Sequence, residues 1–308
     1  MSDTPQWFAP AASALGTQVD TLFSALVWLT GSVATAIAIA VVWFCIRYRR
    51  GSNAPRGAPQ VRASTLEITW ITVPLLVFFV IFAVSAAMLP RFYAAPPDAD
   101  TVYVIGKQWM WKLEHRDGRR ELDELHVARG RPVRLVMISQ DVIHSFFVPA
   151  LRFKQDLLPE RYTSVVFTPT RTGVFGVGCA EFCGAQHSRM RGRLVVLEPA
   201  ALERWLAAGG ARTPLAERGF ALYRELGCSG CHEPRSTVAA PPLHGLFGSA
   251  VHLADGRYTR ADETYLRNAI LHPSLEVVAG YGDIMPSFAG QLREEDMVAL
   301  IAWLGQLR

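Results

Sequence analysis

Two long apolar runs, residues 21–46 and 68–89, constrain the fold of this 308-residue chain more than any other feature. As helices rising 1.5 Å per residue they measure about 39 and 33 Å, enough to cross a hydrocarbon core of about 30 Å. Half of the chain is apolar, but the excess sits in these runs and the remainder reads as water-soluble protein. Residues 1–20 hold no Lys or Arg, so the first run lacks the basic leader of a cleaved signal peptide. The connection between the runs carries Arg47, Arg49, Arg50, Arg56 and Arg62 against one acidic residue, Glu67 at its far end, whereas the tail before them offers only Asp3 and Asp20. The positive-inside bias puts that connection in the cytoplasm and both chain ends outside. The expectation is a transmembrane hairpin followed by extracytoplasmic domains. The net charge of +4 comes partly from this Arg cluster, so it gives no reason to expect nucleic acid.

Pro90, Pro96 and Pro97 close the second run and open a different composition. From about 100 to 198 short β-type segments alternate with turns: Thr101–Ile105, Trp109–Glu114, Val133–Ile138, Tyr162–Phe167, Val174–Val177 and Leu194–Leu197. Many short strands without helical periodicity predict a sandwich or small barrel. Residues 199–208 read as helix, broken by Gly209-Gly210. From Pro214 the period becomes helical, with Leu215–Leu226, Asp262–Leu271 and Arg293–Leu307 as the clearest segments.

Five cysteines need an account. Cys45, inside the first apolar run, reads as an inert buried thiol. The other four form close pairs. Around the first runs Cys179-Ala-Glu181-Phe-Cys183-Gly-Ala-Gln-His187-Ser-Arg-Met190, and upstream lies Asp141-Val-Ile-His144-Ser-Phe-Phe. A disulfide would be ordinary outside the cytoplasm, but it leaves His144, His187 and Met190 without a role. Structural zinc would use two Cys and two His and leave Met190 idle. Thiolate, imidazole and weak thioether together suit copper in an electron-transfer site.

The strings C-x-E-x-C-G-x-x-H-x-x-M and D-V-x-H-S-F, after two apolar helices and a run of strands, resemble cytochrome c oxidase subunit II across residues 20–198. The resemblance implies a cupredoxin sandwich holding CuA, a pair of copper ions. Carried over, Cys179 and Cys183 bridge the ions, His144 and His187 supply the imidazoles, Met190 is a weak axial ligand and Glu181 gives its backbone carbonyl. The Glu181 carboxylate would also reach a magnesium ion shared with subunit I. Gly106-Lys-Gln-Trp109-Met-Trp111 is similar to the family's aromatic segment, which makes Trp109 the electron-entry residue; core packing is the other reading for both tryptophans. Lys154-Gln-Asp156 and Pro159-x-Arg161 resemble a stretch facing the catalytic subunit. Glu67-Ile-Thr-Trp70-Ile-Thr-Val-Pro74 resembles the motif with a proton-uptake glutamate, although Glu67 could equally sit at the wet interface.

The second cysteine pair, Cys228-Ser-Gly-Cys231-His232, is a c-type haem attachment motif. No βαβ pattern surrounds it, which argues against a thioredoxin-like site. The thiols add to the haem vinyls and His232 coordinates iron. The second axial ligand is sought among Met285, Met297, His244, His252 and His272. Met297 falls in a helical segment and reads as core. Met285 follows a Gly-containing loop, and a Met/His pair would raise the haem potential. Residues 214–308 resemble a small single-haem cytochrome c, with Gly219, Phe220 and Tyr223 on a first helix that packs on the last near Trp303. Pro241 resembles the proline whose carbonyl receives the haem histidine's N–H.

The whole therefore reads as a multidomain membrane protein. An N-terminal segment (1–20) precedes a two-helix transmembrane hairpin (21–93), an all-β CuA cupredoxin domain (94–199), a linker (200–213) and an all-α class I cytochrome c domain (214–308). It resembles the fused form of bacterial oxidase subunit II in the inner membrane, with both redox domains on the periplasmic side. Implied partners are oxidase subunit I, subunit III, an external cytochrome or other redox donor, and membrane lipid. A CuA-type nitric-oxide reductase input subunit and a free-standing membrane-tethered redox or copper module are the rival readings. Residues 97–212 carry 17 Lys and Arg against 13 Asp and Glu, residues 213–308 carry 8 against 11, and opposite signs favour docking of the two domains. Gly209–Pro214 reads as a short flexible tether.

Overall fold

The computed structural model describes residues 10–57, 63–208 and 213–307. It divides into two units, one containing Ala14–Ala94 and the other joining the N-terminal tail to everything from Ala95 onward. The first unit is two helices, α1 (Ala14–Arg47) and α2 (Ala63–Met88). Both begin before the apolar runs, α2 ending at Met88 just ahead of Pro90, and both expose apolar side chains on every face, as lipid-facing helices do. Arg91 Nη1 donates to Gln18 Oε1 at 2.8 Å, closing the hairpin at the ends away from the Arg-rich connection. Cys45 is exposed on α1 rather than buried, because a helix that is apolar all round turns such positions toward hydrocarbon instead of a protein core. Arg62 lies outside the described residues.

Ten strands of the second unit build a sandwich: β1 (Asp100–Lys107), β2 (Met110–His115), β3 (Arg120–Leu122), β4 (Glu124–Ala128), β5 (Val133–Ser139), β6 (His144–Val148), β7 (Phe153–Leu157), β8 (Thr163–Phe167), β9 (Gly173–Cys179) and β10 (Arg191–Leu197). One sheet has the order β3-β2-β1-β5-β8 and the other β4-β10-β9-β6-β7. β1 and β5 run parallel, with Val104 opposite Met137, and β10 runs parallel to β4. Inward side chains of alternating positions, among them Val104, Leu135, Met137, Phe146, Leu157 and Leu194, fill the interior.

Alternation fails in β1 and β5, where Tyr103, Ile105, Val136 and Ile138 on the outer face are also buried. Helices from the C-terminal region cover them. These are α4 (Leu215–Glu225), α6 (Glu263–Leu271) and α7 (Glu294–Leu304), accompanied by α3 (Pro199–Ala207), the short α5 (Ser229–His232) and the hairpin β11 (Ala250–His252) with β12 (Tyr258–Arg260). Asp262 caps α6 by accepting from the Tyr265 N–H at 2.8 Å. Gly219 lets α4 and α7 meet backbone to backbone: a Cβ there would stand 2.1 Å from the Ala299 carbonyl oxygen. Phe220 and Tyr223 then pack on Trp303, with ring centroids 5.8 and 4.4 Å away.

The expected tether is not free along its described part. The Leu215 N–H donates to Arg116 O at 3.2 Å, and a Cβ on Gly118, where φ is +84°, would lie 2.2 Å from Thr213 O. The chain entering α4 is seated on the β2–β3 turn, because that glycine leaves room for it. Gly209, Gly210, Ala211 and Arg212 fall outside the described residues.

Candidate metal and haem centres

β6 and β9 are antiparallel neighbours with Phe146 opposite Cys179, so His144, two residues before Phe146 on the same face, lies diagonally across from the last residue of β9. That register brings His144 to Cys179. The loop from Cys179 into β10 folds back through a single helical turn at His187–Arg189 and adds Cys183, His187 and Met190. A ring nitrogen of His144 and the two cysteine sulfurs lie within 4.8 Å of one another. The sulfurs are 3.8 Å apart, so they are not bonded to each other. Cys179 Sγ stands 3.2 Å from Glu181 O, and Cys183 Sγ stands 3.5 Å from His187 Nδ1 and 3.8 Å from Met190 Sδ. All six residues singled out in the sequence therefore meet at one place.

Polar groups hold this arrangement from outside. His144 is fully buried, and its Nε2 is 2.8 Å from Asp141 Oδ1. With the proton on that nitrogen, Nδ1 keeps a lone pair and finds no protein partner. A buried nitrogen left in this way fits a metal ligand whose other nitrogen is fixed by a carboxylate. Asp141 also accepts from the Gln108 and Val142 backbone N–H groups at 2.8 Å. Burial alone would raise its carboxyl, but these bonds keep it below the usual range. The Cys183 carbonyl accepts from Gln108 Nε2 at 2.8 Å and from the Trp109 indole N–H at 3.1 Å. Gly106 permits close approach, since a Cβ there would sit 3.1 Å from the His144 ring. Asp141 and Gln108 were not singled out from the sequence as supports, although both stand inside the quoted strings beside His144 and Trp109.

The two thiols differ. Burial pushes Cys179 up, but the nearby His144 imidazole and neighbouring backbone outweigh it and hold the thiol down to about 6. Cys183 is pushed up to about 12 by burial and by the charge of Cys179 beside it. The protein alone thus ionises one sulfur at neutral pH, and a cation between them would favour the second thiolate as well. Two soft sulfurs, two imidazoles and a thioether buried to 1% fit copper by donor chemistry.

Trp111 belongs to the core: it is 1% exposed and stands edge-on to Phe146 at 5.0 Å. Trp109 precedes β2, half-buried, on the Cys183 loop. The Glu181 side chain is exposed, and Glu67 lies on the exposed surface of α2.

The second centre is built differently. α5 carries Cys231 and His232, directly after Cys228, and the His232 Nδ1–H donates to Pro241 O at 3.0 Å. His232 and Met285 line one cavity of about 390 Å³ with Tyr265, Leu266, Ala269, Ile270 and Leu304. They meet again in a cavity of about 110 Å³ walled by Cys228, Cys231, Ile284 and Phe288. A mostly apolar space with a fixed imidazole, a thioether and two thiols on its walls fits a c-type haem. Met297 is 1% exposed in the core of α7 and lines neither cavity. His244 and His252 line the larger one; His272 lines neither.

Comparison with known proteins finds three matching stretches. Residues 2–88 match the cytochrome c oxidase subunit II transmembrane domain, 120–198 the periplasmic domain of the same subunit, and 216–308 cytochrome c. The segment carrying Trp109 lies between the matched stretches. Cytochrome c oxidase subunit 2 of Alkalihalophilus pseudofirmus is 31% identical over 89% of this chain and 83% of its own length. The alternative cytochrome c oxidase subunit 2 of Bradyrhizobium diazoefficiens is 30% identical over 66% of this chain and 84% of its own. The solved periplasmic domain of oxidase subunit II from Bradyrhizobium japonicum covers 37% of this chain and 96% of its own, at 26% identity and a TM-score of 0.36.

Proposed function

The chain belongs to the cytochrome c oxidase subunit II family, and on that premise we propose that its redox domains work in series, the cytochrome domain receiving electrons from an external donor and the cupredoxin domain delivering them to the catalytic subunit that reduces O₂ to water. The copper pair and the haem supply one-electron transfer when bound. The observation that carries the reading is the convergence of Cys179, Cys183, His187 and Met190 on the partnerless nitrogen of His144.

Cys179 and Cys183 would bridge the copper ions, with His144, His187, Met190 and the Glu181 carbonyl completing their ligands. Asp141 holds His144 in the tautomer that leaves Nδ1 free, and Gln108 and Trp109 hold the Cys183 carbonyl. The bond from its indole N–H fixes the Trp109 ring against the ligand loop, which supports its role as the electron-entry residue. The exposed Glu181 carboxylate remains available for a magnesium ion shared with subunit I. Cys228 and Cys231 would attach the haem covalently, with His232 and Met285 as axial ligands. Glu67 is proposed to take up protons at the cytoplasmic end of α2.

The proposed domain division stays as the sequence suggests: hairpin 21–93, cupredoxin domain 94–199, linker 200–213 and cytochrome domain 214–308. Orientation has independent support. The Ala12 N–H donates to Ala150 O at 2.7 Å, and Ala12 O accepts from the Thr170 N–H at 2.8 Å. The tail before α1 therefore shares a side of the membrane with the cupredoxin domain, and the Arg-rich connection between α1 and α2 puts that side outside the cytoplasm. Subunit I, subunit III and an external cytochrome or other donor are the proposed partners.

Metal analysis of the purified complex should give two copper atoms and one acid-stable haem per chain in this subunit. The same complex should consume O₂. Consumption of NO in place of O₂ would transfer the chain to a nitric-oxide reductase.

A further inference from the structure

The cytochrome and cupredoxin regions meet at one contact surface, where the helices α4, α6 and α7 cover the outer face of the sheet β3-β2-β1-β5-β8. Its apolar centre is continuous: Tyr103, Ile105, Val136 and Ile138 of the sheet form one buried cluster with Leu215, Tyr265, Leu266 and Ile301 of the helices. Around that centre the charged groups pair across the seam. Glu114 on β2, 3% exposed, accepts from Arg218 Nη1 of α4 at 2.6 Å and from Arg120 Nε of β3 at 3.1 Å. Arg218 also donates to the backbone carbonyl of Glu295. Lys112 on β2 reaches Glu295 Oε1 of α7 at 2.8 Å and Gln140 Oε1 at 3.3 Å. Farther along, Arg134 of β5 pairs with Glu263 of α6 at 2.8 Å, and the Tyr162 N–H donates to Thr264 Oγ1 at 3.2 Å.

The charges do not follow the net balance of the two domains. The sheet contributes Lys112 and Arg134 but also Glu114, and the helices contribute Glu263 and Glu295 but also Arg218. Two oppositely charged bodies could meet in many orientations, whereas an alternating pattern satisfies one. A shift that brings Glu114 to Glu295, or Lys112 to Arg218, replaces attraction by repulsion. The carboxylate at the centre is buried, so losing its partner leaves a desolvated charge and not merely a weaker contact. One of these pairs also touches the copper side of the molecule, because Gln140 directly precedes Asp141, which orients His144.

We propose that Glu114 and Arg218, with Lys112 and Glu295 beside them, are positioning residues that lock the cytochrome domain in one pose and thereby set the rate of electron transfer to the copper domain. The proposal rests on the two-domain electron path above. In the parent protein the internal step takes place within a fixed body, so it is insensitive to salt and viscosity, while reduction by a separate donor slows with salt as exposed charges are screened.

The test uses the full chain in its assembled oxidase, with the haem photoreduced and the near-infrared absorption of the copper centre followed in time. Glu114→Gln should slow the internal step about tenfold, and coupling across the seam should make the effects of Glu114→Gln and Arg218→Gln less than additive in the double variant. The residual rate should become salt- and viscosity-dependent, while both midpoint potentials and both absorption spectra stay unchanged. Lys112→Gln, at a half-exposed pair, should show the same signature at about twofold, and it carries the test if Glu114→Gln does not assemble. An unaltered internal rate in the assembled variants, or a slowing explained by shifted potentials, overturns the positioning role. A parent protein with no internal transfer would instead overturn the two-domain path.

Discussion

The two redox regions hold their sites by opposite means. In the cupredoxin region each supporting atom is fixed by a directional bond: Asp141 on His144, and Gln108 and Trp109 on the Cys183 carbonyl. Strand register sets the rest, so the donor groups converge through polypeptide contacts alone. In the cytochrome region His232 and Met285 come from distant stretches of chain and both line a mostly apolar cavity of about 390 Å³. Those helices wrap a space as well as packing on one another where α4 meets α7. A metal set into the first site would be a guest in a finished fold, whereas a group filling the second would be part of its core.

The largest effect should come from breaking the second arrangement. Deleting both thiols, Cys228→Ala with Cys231→Ala, is expected to abolish covalent haem and to unfold the cytochrome helices with it. Without haem the apolar walls of this space lose what packs on them, and the helices lose a large part of their core. Haem-stained gels and hydrogen exchange of α4, α6 and α7 would check it, with copper content retained as the control. Protected helices in the haem-free variant would break the comparison.

Cys183→Ser tests the other side. Copper and its near-infrared absorption should be lost nearly completely, yet the sandwich should melt within about 1 kcal/mol of the parent, because its core lies in β1, β5, β6 and β10. Gly219→Ala addresses packing without touching a ligand. Its Cβ would press on the Ala299 carbonyl at 2.1 Å and on Trp303 Cβ at 2.7 Å, which should cost about 3 kcal/mol by forcing α4 from α7. Calorimetry should show the loss in the cytochrome transition and leave the cupredoxin transition in place.

Much of this was legible in the sequence because it rests on local patterns. The apolar runs, the six strongest strands and the three main helices follow from periodicity, and the donor residues stand in compact strings. What was not legible depends on contacts distant in sequence. β3 and β4 are short and rich in charged residues, so they read as turn, while β6 opens on His144 and Ser145 and β7 carries Lys154, Gln155 and Asp156 in its middle. The outer-face burial of Tyr103, Ile105, Val136 and Ile138 did leave a trace, an unbroken apolar run where a one-sided strand would alternate. The described end of the tether looked free because the seat for Thr213 is made by Gly118, far upstream. Asp141 and Gln108 carry no signal of their own; only the fold shows that they bond His144 and Cys183.

The smallest effect, and the finest test of polar support in the cupredoxin region, concerns Glu121. Its carboxylate, with a side chain 5% exposed, receives N–H bonds from His115 Nε2 at 2.6 Å and His126 Nδ1 at 2.5 Å. Trp205 of α3 stacks on His126 with ring centroids 4.1 Å apart, and the Arg119 guanidinium lies over the indole at 3.3 Å. Burial pushes the Glu121 carboxyl up, but the two imidazoles and the His126 backbone N–H outweigh it and hold it down to about 2, against an ordinary 4.5. A depressed carboxyl stabilises the fold fully above its unfolded value, and that contribution disappears as pH falls toward the folded one. Glu121→Gln keeps one acceptor, and its amide N–H₂ can donate to the other ring once that imidazole changes tautomer. The expected cost is therefore only about 1 kcal/mol at pH 7, below the ceiling of about 3 kcal/mol that the full shift would allow. The gap between variant and parent should persist down to about pH 5 and close between pH 4.5 and 2. Urea unfolding of the full chain in detergent at pH 7, 5 and 3 measures it, with copper and haem spectra unchanged at pH 7. A gap that stays constant to pH 3 would mean that shape, not charge, holds α3 against the sandwich, and that polar support in this region ends at the copper loop.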